Sequence, residues 1–446
     1  NKNYDVYVLA DDTIYTPKIS EGLFQGMTSL TTVDTTNMDV SRTENMSYLF
    51  HGCSKLTTLN TSKWNTENVT TMERIFQNCS TLADIDVSEW NVSNVETLRH
   101  AFSKCTALTA LDTASWRLTN ATDMYAMFNA CANLTTLDVS EWGLNSAINL
   151  DFMFYYCEKL NNLDVSKWQV GNVTSMDGTF KGCLELTALD VANWDVSNVT
   201  TFQNFLSSKN SQAGDMKLES IDVSKWDTSS ATNMKWMFYG CGNIKELDLH
   251  NWDVSNVTDM YHMFTDCVKL EKINFKGWNT ESLTNMDGIF NSCESIKVLD
   301  VSDFDTQNVT DMDQVFESCL KIEQIIGLEN WDTSNVTSMS EMFHHCGLYG
   351  TNGEYGGNLQ ELDLSSFNTS KVTDVSKMFH SCDRLQTIYV GDGWDMSNVT
   401  ASDGMFSDCS NLKGAISYNA ANANDVTYAN TETGYLTYKA APTTNP

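Results

Sequence analysis

The chain has 446 residues, with 27 Lys and Arg against 58 Asp and Glu and a net charge of −31. A surface this negative repels phosphate backbones and anionic lipid, which excludes nucleic acid and the membrane surface as first-choice partners. A hydrophobic share of 41%, including 12 Trp, 20 Phe and 20 Met, excludes a disordered chain, and no run of about 18 apolar residues offers a membrane-spanning helix.

The sequence starts at Asn1 rather than Met, which predicts a processed or trimmed start. Residues 1–26 read as an N-terminal cap, with a capping strand expected at Tyr4-Asp5-Val6-Tyr7-Val8-Leu9. Residues 27–412 are a tandem repeat whose period is set by cysteine. Cys53, Cys79, Cys105, Cys131, Cys157 and Cys183 are each 26 residues apart, and so are Cys241, Cys267, Cys293 and Cys319. A Phe stands three residues before every Cys, from Phe50 to Phe406. The long interval between Cys183 and Cys241 hides a degenerate unit around Phe202, Phe205 and Leu206. About fifteen units result, and a period of this length signals a solenoid. The only prolines are Pro17, Pro442 and Pro446, so the backbone between them is unbroken and regular.

Each unit reads as two pieces. In Leu56-Thr57-Thr58-Leu59-Asn60-Thr61-Ser62-Lys63-Trp64, alternating apolar and polar residues predict a short strand. The spacing matches the leucine-rich-repeat consensus, with Trp in the usual Asn or Cys slot. In the second piece, apolar Val69, Met72, Phe76 and Cys79 follow i, i+3, i+7, i+10, one face of a short helix. Asn65-Thr66-Glu67-Asn68 supplies turn and N-cap chemistry before it. The expected fold is therefore an α/β repeat solenoid of the leucine-rich-repeat type, with short parallel strands on one face, short helices on the other and a cap at each end. A single unit cannot bury its own apolar edge, so stacking must set Leu on Leu, Phe on Phe, Cys on Cys and Trp on Trp.

Insertions near 207–216 and 347–358 interrupt the period, and insertions in solenoids map to loops, often on a binding face. Residues 413–438 read as a C-terminal cap, and residues 439–446 as the start of a Pro/Thr linker. The segment Asp253-Val254-Ser255-Asn256-Val257-Thr258-Asp259-Met260, followed by Met263-Phe264 and Cys267, resembles the repeat of BspA-like leucine-rich-repeat bacterial surface proteins. So does Ser334-Asn335-Val336-Thr337-Ser338-Met339 with Met342-Phe343. That resemblance covers nearly the whole chain. It implies a secreted or wall-attached bacterial protein used in adhesion or ligand binding, located outside the cell. The chain departs from the pattern in its insertions and in the unit near Phe202.

The recurring polar residues define candidate sites. The cysteines have no C-x-x-C spacing, and stacked in register their side chains run parallel. A buried ladder of thiols filling space is expected rather than disulfides or a metal centre. Asp86, Asp112, Asp138, Asp164, Asp190, Asp222, Asp248, Asp300 and Asp363 share one outward strand slot. The stripe is either hydrogen-bonded to neighbouring Ser and backbone, or relieved by calcium, with Asp222 and Asp248 as the calcium candidates. Asn68, Asn94, Asn172, Asn198, Asn256, Asn308, Asn335 and Asn398 share another slot, several in N-x-[ST] sequons, and are expected to satisfy backbone groups between units. The seven His share no metal-ligand spacing, and no nucleophile or phosphate-loop motif occurs, so no enzyme is expected.

Slots identical in every unit serve stacking, so discrimination belongs to the slots that vary. The two positions after the Met slot vary most, as in Tyr48, Arg74, His100, Tyr125, Phe152 and Trp236. Trp236, Tyr239, Tyr261 and His262 fall in adjacent units and are the candidate ligand-binding patch, with packing between units as the alternative. Tyr349 and Tyr355 in the long insertion are a second candidate, with loop packing as the alternative. Two functions fit. One is a non-enzymatic surface binding or adhesion module for a protein or glycan on a host or neighbouring cell. The other is a structural spacer or self-assembling surface element, with calcium as its potential trigger. Neither involves nucleic acid or membrane insertion.

Overall fold

The computed structural model describes residues 13–208, 216–347 and 357–442. The predicted strand at Tyr4–Leu9, most of both insertions with Tyr349 and Tyr355, and the last four residues lie outside the described residues. The chain divides into two compact units, Asn1–Val173 and Thr174–Pro446, each a parallel β-solenoid, with about 14 turns in all.

One ladder is built from the Leu-rich piece. In the first unit, Thr58–Leu59 pairs in parallel with Thr32–Val33 and with Asp84–Ile85, in register Leu59 to Ile85. In the second unit, Glu246–Asp248 pairs with Lys272–Asn274, and Val298–Asp300 pairs with Gln324–Ile326. Glu361–Leu364 pairs with Thr387–Val390, which takes Thr437–Tyr438 as a further parallel partner. In each case the register sets apolar on apolar and leaves the alternate residues outward. A second ladder of single parallel bridges runs Asn45, Thr71, Thr97, Asp123, Asn149 in the first unit. It runs Ser175, Thr201, Asn233, Asp259, Asn285, Asp311, Ser338, Asp374, Ala401 in the second.

The predicted helices do not form. The only helical elements among the described residues are three short 3₁₀ turns, Leu328–Asn330, Ala420–Asn422 and Val426–Tyr428. The segment from Met46 to Cys53 shows what replaces them. The amides of Met46, Tyr48, Phe50 and Gly52 bond to the carbonyls of Thr71, Glu73, Ile75 and Gln77 in the next coil, at 2.8–3.0 Å. The intervening amides of Leu49, His51 and Cys53 bond back three residues within their own coil. The backbone is therefore satisfied half locally and half between coils, which a helix cannot do. This alternation needs left-handed residues, found at Tyr48 (φ 59°) and Gly52 (φ 75°) and at the matching positions of most coils. A stack of such turns shares its apolar spacing with a helix. The distinguishing signal is the residue before Cys, which is Gly, Asn or Asp in about half the coils, as Gly52, Asn78, Gly182, Gly240, Asp266 and Asp408, types that tolerate positive φ, while Lys104, Ala130 and Tyr156 hold the same left-handed slot elsewhere.

The interior consists of columns. Trp64, Trp90, Trp116 and Trp142 stack with centroids 5.9–6.3 Å apart. Phe238, Phe264, Phe290, Phe316, Phe343, Phe379 and Phe406 stack at 5.4–5.9 Å. In the degenerate unit Leu206 holds the Phe slot, since its carbonyl accepts from the Cys241 thiol. All thirteen cysteines are buried thiols. Twelve of them, all but Cys183, are seen to donate to the Phe-slot carbonyl of the preceding coil, as Cys79 does to Phe50 and Cys131 to Phe102, both at 3.1 Å. Burial pushes the Cys131 and Cys382 thiols up to about 12, so they stay protonated donors. At the C-terminal end Tyr435 and Leu436 are fully buried, and Tyr435 lies edge-on to Phe406 at 5.4 Å.

Candidate functional site

Successive side chains of an extended strand point to opposite faces. A left-handed residue breaks that alternation and sets its side chain beside its predecessor's. His262 has φ 51°, and its ring lies 4.2 Å from that of Tyr261, at 90°. The preceding coil supplies Trp236, also left-handed with φ 56°, whose ring meets Tyr261 edge-on at 5.5 Å. Tyr239 meets His262 edge-on at 6.4 Å. The sequence-predicted residues Trp236, Tyr239, Tyr261 and His262 thus form one half-buried cluster across two adjacent coils. With Thr265, Asp266, Asn291 and Ser292 they line an open depression of about 390 Å³.

The cluster is polarised. The Lys235 ammonium lies 4.4 Å from the ring centroids of both Trp236 and Tyr261, a shared cation–π contact. The Thr265 hydroxyl donates to the Gly288 carbonyl at 2.6 Å, so its oxygen accepts from His262 Nδ1 at 2.7 Å. That assigns the imidazole hydrogen to Nδ1 and leaves Nε2 as the acceptor. Burial, then Asp287 and Asp311, raises the Tyr261 phenol above its ordinary pKa. Asp287 itself is pushed up to about 7, by burial first and then by Asp311, Asp313 and Glu317, and its Oδ1 has no hydrogen-bond partner.

On the strand side, Asp222 and Asp248 border an open concavity of about 1060 Å³ that also includes Glu246, Lys272 and Lys297. Asp222 Oδ1 accepts from the Ser224 amide at 3.1 Å and hydroxyl at 2.7 Å. Asp248 Oδ1 pairs with His250 Nδ1 at 2.8 Å and accepts from Asn274 at 2.9 Å. These hydrogen bonds hold both carboxyls below the usual range. The same Asp–Ser turn recurs at Asp86, Asp138, Asp164 and Asp300, so its role is to close the turn after each strand. The Asn slot also ties coils together: Asn68, Asn94 and Asn256 each donate to a carbonyl of the preceding coil at 2.8–2.9 Å.

Two clusters escaped the sequence reading. In the first unit, Tyr125, Phe152, Tyr155 and Tyr156 make a chain of edge-on contacts at 4.4–5.5 Å, with the Arg99 guanidinium 4.0 Å from the Tyr125 ring. In the second, His344, His345 and His380 stack together. The signal for both was slot identity. Tyr155, His344 and His380 each follow the column Phe directly, and that position faces the same way as the variable slots.

Coils of about 26 residues with a parallel ladder and stacked Leu, Phe, Cys and Trp columns define a solenoid of the leucine-rich-repeat class. Solved structures similar to it include three bacterial leucine-rich-repeat proteins. One from Bacteroides ovatus is 15% identical, covers 97% of this chain and 94% of its own, and has a TM-score of 0.46. A leucine-rich cell surface protein from Faecalibacterium prausnitzii is 17% identical over 77% and 83%, with a TM-score of 0.33. One from Eubacterium ventriosum is 12% identical over 81% and 85%, with a TM-score of 0.36. No curated protein matches the chain. The sequence profile described as "Mycoplasma protein of unknown function, DUF285" matches residues 19–137, 122–218, 209–326 and 286–419, and the chain belongs to that family. No helix among the described residues is long and apolar enough to cross a membrane.

Proposed function

We propose that the chain is a non-enzymatic binding module displayed outside the cell, on its surface or wall, and that its aromatic cluster takes a protein or glycan ligand. The observation that carries this reading is the cluster of Trp236, Tyr239, Tyr261 and His262 under one shared Lys235 ammonium. Edge-on rings leave faces for a sugar ring or an apolar anchor, and the ammonium and Asp266 beside them supply polar contacts. The left-handed slot adds support. Its backbone hydrogen bonds run from main chain to main chain, so nothing in the coil dictates a Trp there. The resemblance to BspA-like surface proteins supports the location.

The test is a glycan and host-protein array screen, with and without calcium, in which each hit is retested on Trp236→Ala plus Tyr261→Ala. Binding lost in the double variant at unchanged melting temperature supports the module. The second reading, a structural spacer or self-assembling element, draws on the uniform Asp–Ser turns of the strand face. It predicts a blank array. A calcium-dependent change in mass or melting without hits points to assembly through the Asp stripe.

A further inference from the structure

Three imidazoles from two consecutive coils meet in the second unit. His344 and His345 are adjacent in one coil and His380 holds the His344 slot in the next. One nitrogen of each lies within 4.8 Å of the other two. His345 is left-handed, φ 59°, which turns its ring alongside that of His344 at 3.9 Å. His344 Nε2 and His380 Nδ1 face each other at 2.9 Å. The outer nitrogens both face carboxylates: His344 Nδ1 lies 3.4 Å from Glu317 Oε1, and His380 Nε2 lies 3.5 Å from Asp408 Oδ2.

With both imidazoles neutral, this arrangement has no satisfactory proton assignment, and only an added proton or another cation completes it. If each carboxylate holds an imidazole N–H, the two facing nitrogens are lone pairs 2.9 Å apart. If a hydrogen sits between them, one carboxylate faces a lone pair. The His344 half of the conflict is buried, because His344 is only 9% exposed and its Nδ1 makes no hydrogen bond. A cation between the inner nitrogens resolves both halves at once. Each ligating imidazole would then give its other N–H to a carboxylate, the arrangement that orients histidine on zinc.

We propose that His344 Nε2, His380 Nδ1 and one nitrogen of His345 bind a borderline divalent transition ion of the zinc type, with water as the fourth ligand. Tetrahedral ligands at about 2.0–2.1 Å lie about 3.3 Å apart, so the observed pair opens by a few tenths of an ångström. The alternative group of Glu317, Glu341 and His344 is already engaged. Glu341 accepts from Lys377 at 2.7 Å and Gln314 at 2.8 Å, and Glu317 accepts from Asn291 at 2.7 Å. The site brackets the 347–358 insertion in sequence, so the ion cross-braces the coils on either side of it.

The test is titration of the chelator-treated chain with Zn²⁺ by calorimetry, followed by Co²⁺ absorption. The expected result is one Zn²⁺ per chain, visible d–d bands of tetrahedral Co²⁺ without a thiolate charge-transfer band, and a raised melting temperature. His380→Gln should weaken binding more than 100-fold and Glu317→Gln by about 10–100-fold, while Glu341→Gln leaves it unchanged. If His380→Gln fails to fold, His345→Gln reads out the same loss at another ligand. Absence of Zn²⁺ binding, a thiolate band, or binding lost in Glu341→Gln but kept in His380→Gln would each overturn the proposal.

Discussion

The aromatic cluster at Trp236–His262 and the histidine cluster at His344–His380 share one slot, the residue after the column Phe (Tyr239 in the first, His344 and His380 in the second), yet they carry opposite chemistry. In both, a left-handed residue sets two consecutive side chains together, Tyr261 with His262 and His344 with His345, and a neighbouring coil completes the group. The first offers ring faces and an ammonium. The second offers lone pairs backed by carboxylates. The difference teaches that the coil fixes where side chains converge and leaves open what converges there.

The comparison breaks most completely if the column beneath it is emptied. Phe316 is fully buried between Phe290 and Phe343. Phe316→Ala is expected to cost about 3–5 kcal/mol, read by denaturant unfolding, and to impair both clusters because one column underlies them. Retention of both at full stability would show that the clusters do not depend on the column.

A more selective change is Gly288→Ala. Gly288 has φ +59°, and an added Cβ would lie 2.2 Å from His262 Nδ1. Left-handed strain costs about 1–2 kcal/mol, and His262 must leave Thr265. Ligand capture at the aromatic cluster should fall while Zn²⁺ binding stays intact. Joint loss would mean that the two addresses are coupled.

Asp287 sharpens the contrast through pH. Its folded carboxyl titrates at about 7 against an ordinary 3.8. The folded state therefore holds a proton that the unfolded state releases. The stability this contributes is complete below about pH 4 and is lost as pH rises through about 7. Asp287→Asn should raise the melting temperature at pH 8 and change it little at pH 4. An equal shift at both pH values would remove ionisation as the cause. The smallest expected stability effect belongs to Trp236→Gly. Relief of left-handed strain offsets the lost contacts of a half-buried ring, so melting should barely move while ligand capture disappears.

The period, the ladder and the Leu, Phe, Cys and Trp columns were legible in the sequence because each depends on one residue type recurring at one interval, whereas the buried Thr61, Thr113 and Thr280, which bond coil to coil, were not read. The helices were misread because Val69, Met72, Phe76 and Cys79 have a spacing that serves a stack of left-handed turns equally well. Gly52, Asn78 and Asp266 carried the correction. The aromatic cluster was legible because its members vary within aligned slots. The histidine cluster was not, because ligand-spacing rules count residues along a chain. His344 and His380 are neighbours only when counted by coil, across an insertion.

The thiol ladder has a consequence for how such a solenoid fails. Almost every Cys is held by a carbonyl of the coil before it, so peeling away terminal coils bares the sulfurs in order, one for each coil that carries a Cys. The chain thus carries a built-in gauge of its own unravelling, readable as the number of thiols a reagent can reach under load or heat.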